Sequence, residues 1–281
     1  MMPGCLKTGY LGPTGTWAEE ALLANTGCVA DETVSFASIH DVIGAVANSE
    51  IEEGIVPMEN AIEGSVSATL DMLTFEVENV RIVREIVHPI RHRLIARTDI
   101  PLNQIERIIS HPHAHAQCRK FVRERLPQAQ VVAANSTAEA VRIVSQSEER
   151  WGAIGSSLAA ENYGCVIIAD DIEDYPDNRT RFVILSKSPA PQDLDAPYKT
   201  SIVCGIAHDQ PGSLLQILQE FAHRYVNLTK IESRPSKQGL GDYVFFIDME
   251  GKKDDPRIAA ALKCLECKLN WVKMLGSYPV G

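Results

Sequence analysis

Along this chain, short apolar runs alternate with stretches whose apolar residues recur at i, i+3, i+4 and i+7, the pattern of strands leading into helices. Residues 7–11 predict a strand, and Gly12-Pro13-Thr14-Gly15-Thr16 turns it into a helix over about 16–25, stopped by Gly27. A strand over 33–37 precedes Ser38, which caps a helix placing Ile39, Val42, Ile43 and Val46 on one face. Gly54-Ile55-Val56 predicts a strand broken by Pro57-Met58-Glu59-Asn60, and Gly64-Ser65 opens a helix to about residue 75.

The pattern then repeats as a second α/β unit. Residues 80–96 are strand-rich with a bend at Pro89. Residues 105–109 form a strand that meets Ser110-His111-Pro112 and a helix to about 125. A strand over 130–134 leads to Ser136-Thr137-Ala138-Glu139, a capping box. Strands at 152–154 and 166–168 flank a helix opened by Gly155-Ser156-Ser157. After the acidic stretch 170–177 comes Asn178-Arg179-Thr180-Arg181-Phe182, polar and then apolar, predicting a strand that returns to the first unit. The Pro-rich stretch 188–198 is a linker. Beyond it the order is β-α-β-β-α-β, with strands at 200–207, 228–233, 243–249 and 272–278. Helices at 211–225 and 256–267 complete it, the first with Leu214, Leu215, Leu218 and Phe221 on one face.

Charge and composition narrow the function. A net charge of -10 excludes an electrostatic footprint for nucleic acid. No apolar run approaches the roughly 20 residues that a bilayer requires. The first residues lack the basic and apolar regions of a secretory signal, and seven cysteines without framework spacing fit a reducing, cytoplasmic setting. Cys264-Leu265-Glu266-Cys267 stands without a second pair and reads as helix surface. His111, His113 and His115 alternate, but Pro112 and the helix start disperse them, so no metal site is expected.

Candidate chemistry gathers where strands end. The turns at Thr14, Gly15 and Thr16, at Gly64-Ser65, at Ser136 and Thr137 and at Gly155-Ser156-Ser157 each open a helix, whose N–H groups and dipole favour anions. Facing one cleft, they would hold a small dicarboxylate without many cations; singly, each reads as ordinary capping. Asn60 sits past a strand end, where its amide can read a substrate oxygen. Thr180 and Arg181 offer a hydroxyl donor and a guanidinium suited to a carboxylate, or else a strand-edge threonine beside a surface ion pair. The first glycine-rich turn has no lysine and does not read as a phosphate loop.

Taken in order, Tyr10–Thr16, Val56-Pro57-Met58-Glu59-Asn60 with its continuation to Val66, Ser110-His111-Pro112 with Gln117-Cys118, Ser136-Thr137-Ala138-Glu139-Ala140 and Asn178-Arg179-Thr180-Arg181-Phe182 resemble the successive motifs of prephenate dehydratases. The tail, with Gly212-Ser213-Leu214-Leu215 and Asn227 through Glu232-Ser233-Arg234-Pro235, resembles their ACT domain. The resemblance implies an α/β, bilobed catalytic domain of the type II periplasmic-binding-protein kind over 1–187, with lobe 1 at about 1–75 and 177–187 and lobe 2 at about 76–176. A linker at 188–198 and a ferredoxin-like ACT domain at 199–281 follow.

It also implies decarboxylative dehydration of prephenate, needing no cofactor, with Thr180, Arg181 and Phe182 catalytic and Asn60, Ser110 and Gln117 at the substrate. Phenylalanine is implied as an inhibitor held at a subunit interface of a homodimer or homotetramer. Its implied contacts are Gly212, Ser213, Leu214, Leu215, Asn227, Glu232, Ser233, Arg234 and Pro235. Ala61, His113 and Ser213 depart from the usual serine, glutamine and alanine, and Ala61 removes a donor from its turn. Arogenate, the aminated substrate, and a non-catalytic ligand-binding role are the alternatives.

Overall fold

The computed structural model describes residues 7–190, 196–206, 210–237, 239 and 241–280. The first lobe comprises β1 (Thr8–Leu11), α1 (Trp17–Thr26), β2 (Thr33–Phe36), α2 (Ile39–Ala47), β3 (Glu53–Asn60), β4 (Gly64–Ser65), α3 (Ser67–Asp71) and β5 (Arg81–Pro89). The second comprises β6 (Arg93–Ala96), β7 (Arg107–Ser110), α4 (Pro112–Gln117), α5 (Arg119–Arg125), β8 (Gln130–Ala133), α6 (Thr137–Ser145), β9 (Trp151–Gly155), α7 (Ser157–Asn162) and β10 (Val166–Ala169). The chain then returns through β11 (Arg179–Ser186). The C-terminal unit is β12 (Tyr198–Gly205), α8 (Ser213–Ala222), β13 (Leu228–Pro235), β14 (Tyr243–Glu250), α9 (Pro256–Lys268) and β15 (Trp271–Pro279).

Three sheets result. The first has the order β2-β1-β3-β11-β5 with β4 beside β3, the second β10-β6-β9-β7-β8, and the third β13-β14-β12-β15. β11 enters the first sheet between β3 and β5, antiparallel to both. Because β5 belongs to that first sheet, lobe 1 extends to Pro89, and lobe 2 starts with β6 rather than near residue 76. The bend expected at Pro89 is thus the crossing between lobes. The return crossing is stitched to it: Ile90 N donates to Asn178 O, and Arg91 Nη1 lies 3.1 Å from Glu173 Oε1.

Local chemistry accounts for most elements. Gly27 ends α1 in the left-handed region at φ 73°, Ser38 Oγ accepts from Asp41 N, and Ser136 Oγ accepts from Glu139 N. Three expectations are corrected. Pro57 does not end its strand: β3 runs on to Asn60, and Met58 is a bulge against β11, where a missing N–H is tolerated. Gly64-Ser65 forms β4 rather than a helix start. The helix after Pro112 breaks at Cys118, whose φ -116° and ψ 18° leave the helical region, giving α4 and α5.

The faces of lobe 1's sheet are buried differently. Tyr10, Leu22, Ile55, Phe182 and Ile184 pack together on the α1 side. On the other side, Val42, Val46, Leu73, Val183 and Leu185 share one core with Val203, Phe246, Leu275 and Tyr278 of the third sheet. The C-terminal unit therefore packs the open face of its sheet onto lobe 1, while α8 and α9 cover its other face through Ile202, Ile217, Phe221, Ile247 and Leu265. In α8, Leu214 and Leu215 stay 38% and 57% exposed, outside that core. Cys28 is disulfide-bonded, a pairing that the scattered cysteine spacing does not announce, whereas Cys264 and Cys267 are free. Among the described residues, no helix is long and apolar enough to cross a membrane.

Candidate active site

Between the lobes lies a cleft of about 500 Å³, lined by the ends of β1 and β3, the beginning of β11 and the starts of α1, α4 and α6. Thr180 enters it from β11. Successive strand residues point to opposite faces, so Thr180 and Phe182 border the cleft while Arg181 points to the other side of the sheet. There Arg181 Nη1 donates to Asp248 Oδ2 at 2.6 Å, Nη2 to Tyr278 OH at 2.7 Å, and Nε lies 2.6 Å from Glu85 Oε2. Arg181 is committed to the third sheet and does not join the cleft.

Thr180 is only 7% exposed, and its oxygen accepts a hydrogen bond from Asn60 Nδ2 at 2.9 Å. The same Nδ2 donates to Asn178 Oδ1 at 2.9 Å, and Asn60 Oδ1 accepts from Ile62 N and Glu63 N, so the amide is fixed at both ends. Asn178 Nδ2 donates to Gln117 Oε1 at 3.0 Å, and Gln117 Nε2 donates to Glu63 Oε1 at 3.2 Å. This amide chain joins lobe 1 to α4 of lobe 2. With its acceptor side engaged, the Thr180 hydroxyl has its proton free for the cleft.

His92, Trp17, Glu63 and Asn178 also line the cleft, beyond the site residues that the sequence predicts. His92 is 2% exposed, its Nε2 lies 2.9 Å from Gln117 Oε1, and its ring meets Trp17 edge-on. Gln117 Oε1 only accepts, so Nε2 carries the proton. Burial holds the His92 pKa below its ordinary value against the opposing effects of Gln117 and Glu173. The only hint in the sequence is a histidine just beyond the Pro89 bend.

The expected anion-binding turns divide into two groups. Thr16 at the start of α1, and Ser136 and Thr137 at the start of α6, line the cleft. Thr14 and Gly15 instead bind the lobes to each other: Tyr163 OH donates to Thr14 O, and Ser156 Oγ donates to Gly15 O, both at 2.9 Å. Gly15 N is occupied by Glu19 Oε2. Ser110 is buried at the end of β7 with its hydroxyl on His111 O, behind the wall. Among the described residues, the lining includes no lysine or arginine. Its polar lining includes helix starts, amides and His111, whose pKa is lowered by burial and by His113.

In the C-terminal unit, Gly212 takes φ 91° as the cap of α8, and Ser213 Oγ accepts from Gln210 N. Ile231, Ser233, Pro235 and Asn227 are exposed, whereas Glu232 and Arg234 turn inward to lobe 1. The nine residues expected to contact phenylalanine are thus not all on one face.

A prephenate dehydratase family model matches residues 8–190, and an ACT domain model matches residues 200–266. The prephenate dehydratase of Methanocaldococcus jannaschii is 42% identical over 96% of this chain and 97% of its own length. A solved prephenate dehydratase in complex with L-Phe, from Arthrobacter aurescens, superposes with a TM-score of 0.86 at 38% identity, covering 97% of this chain and 89% of that one. GqqA, described as a novel type of quorum quenching acylase, reaches the same TM-score at 29% identity over 98% of both chains. The match over the whole two-lobe region, together with the ordered motifs around Asn60, Gln117 and Thr180, makes this chain a member of the prephenate dehydratase family with a C-terminal ACT domain.

Proposed function

We propose that the chain converts prephenate to phenylpyruvate, and that phenylalanine inhibits it through the ACT domain. The observation that carries the catalytic half is the Thr180 hydroxyl, buried at the cleft with its oxygen fixed by Asn60. In the reaction the bond to the ring carboxylate breaks, and its electron pair enters the ring. The hydroxyl on the opposite ring carbon leaves and takes up a proton. Aromatisation supplies the driving force, so the enzyme's task is to hold the ring and hydrogen-bond the departing oxygen. Thr180 is the donor to that oxygen. Thr16, Ser136 and Thr137 at two helix starts hold the carboxylates, and Phe182 and Trp17 border the ring.

The family's fold also carries the acylase description, and fold alone does not fix chemistry. An acylase nucleophile needs an adjacent base. Here Thr180 bonds to Asn60, Thr16 to Leu11 O and Ser136 to the backbone of α6, which favours the dehydratase reading.

Phenylpyruvate formation, followed by absorbance, tests the proposal. Thr180→Ala is expected to lower kcat by about 10²- to 10⁴-fold, the range for a positioned proton donor, with Thr180→Ser retaining most of it. Equal rates for wild type and Thr180→Ala would remove Thr180 from the chemistry. Kinetics with arogenate in parallel identify the preferred substrate. Phenylalanine titration of the same assay tests regulation, and an unaffected rate together with no binding would overturn it.

A further inference from the structure

Strand β13 lies along lobe 1 with two chemically different faces. Lys230, Glu232 and Arg234 turn toward lobe 1, and Thr229, Ile231, Ser233 and Pro235 turn outward. Lys230 Nζ donates to Ser65 Oγ at 2.6 Å and lies 3.1 Å from Glu59 Oε2 and 3.2 Å from Glu232 Oε2. Ser65 Oγ donates in turn to Glu232. Farther along, Arg234 reaches Asp71 Oδ1 at 3.0 Å and Ser67 Oγ at 2.8 Å. The Lys230 side chain is 8% exposed, so its ammonium has exchanged most of its water for these oxygens. A cation is buried at tolerable cost only when it is paired in this way.

What the strand grips is the wall of the cleft. Glu59 and Ser65 are register partners in the β3–β4 pair, as are Asn60 and Gly64. Asn60 fixes the Thr180 oxygen, and Glu63, in the turn between them, holds Gln117. Lys230 therefore holds the turn immediately next to the amide that orients the candidate proton donor. A strand carries both faces on one backbone, so a shift imposed on its outward residues moves its inward residues with it.

We propose that Lys230, with Glu232 and Ser65, relays ligand occupancy on the outer face of β13 to the Asn60 turn and so to Thr180. The relay rests on the reading that phenylalanine acts through the ACT domain. It reassigns Glu232 and Arg234 from ligand contact to transmission and leaves the ligand to the outward residues. Allosteric coupling needs an element that both sites bias, and β13 touches both.

The test uses the full chain. For wild type, Lys230→Met and Glu59→Gln, kcat/KM for prephenate is measured with and without saturating phenylalanine, and phenylalanine binding is measured by calorimetry. Glu59→Gln keeps the shape and removes the ion pair, and it serves if Lys230→Met does not fold. In wild type, phenylalanine is expected to lower kcat/KM by about 5- to 150-fold, the usual range of coupling. In the variants it still binds, but lowers kcat/KM by less than about twofold. Variants that bind phenylalanine and are inhibited like wild type overturn the relay alone. Loss of phenylalanine binding in Lys230→Met also overturns it, by making Lys230 part of the ligand site. A wild type that neither binds nor responds overturns the regulatory reading, and the relay with it.

Discussion

A threonine hydroxyl is a weak acid, and Thr180 gains from what is done to its oxygen. The Asn60 amide donates to it, and a hydroxyl whose oxygen accepts a hydrogen bond donates more strongly in turn. His92 belongs to the same chain through Gln117 and supplies a pH test. Its folded pKa is depressed by burial, so the folded state binds fewer protons than the unfolded chain as pH falls below the free-histidine value of about 6.5. The contribution of neutral His92 is thus present above about pH 6.5 and is lost as pH falls toward the depressed folded value. Urea unfolding at a series of pH values is expected to show a shallower decline below about pH 6.5 in His92→Asn than in wild type. Of these residues, Asn60, Gln117 and Thr180 were legible because each sits in a local motif. His92 was not, since burial between lobes leaves no periodic trace in sequence.

Within elements, period-two alternation decides which neighbouring residues share a face. Thr180 and Arg181 look like a pair in sequence, but neighbours on a strand cannot share a face. The same rule splits Glu232-Ser233-Arg234-Pro235 between inner and outer faces. That much could have been read from the sequence. The bulge at Met58 could not, because it depends on the β11 partner from well over a hundred residues away. The first glycine-rich turn was legible as a turn, but its role was not. Gly15 has φ 90°, a region that glycine enters freely, and an added Cβ would sit 2.9 Å from Ala159 Cα across the lobe junction. Gly15→Ala is expected to cost about 1–3 kcal/mol through backbone strain and to raise KM for prephenate as the junction opens. Denaturant midpoints and steady-state kinetics on the same preparation check both effects.

On the scale of the molecule, the ACT sheet packs directly on lobe 1 and shares a core with it. Gly276 in β15 approaches β5 so closely that a Cβ would collide with Ile82 O. Arg181 joins Glu85 and Asp248 across that boundary, and Lys199 Nζ lies 2.7 Å from Glu85 Oε2. Removing the guanidinium strands the buried Asp248 carboxylate and leaves Glu85 to Lys199, so Arg181→Met is expected to destabilise the chain by about 3–5 kcal/mol. Arg181→Lys should recover only part of this, since a point charge cannot reproduce the planar fork that reaches Asp248 and Tyr278 together. Thermal and urea unfolding of the three proteins measure it. The central place of β11 has a consequence for biosynthesis. Chains emerge N-terminus first, and domains tend to fold as they appear. Lobe 2 is one uninterrupted segment and can close early, while β3 and β5 must wait for the strand that belongs between them. Until Ser186 has left the ribosome, the nascent chain carries two unpaired, apolar strand edges, the kind of surface that recruits other chains. The residue proposed for the chemistry thus lies on the strand that joins β3 to β5, so a chain that has acquired its proton donor has also completed its largest sheet.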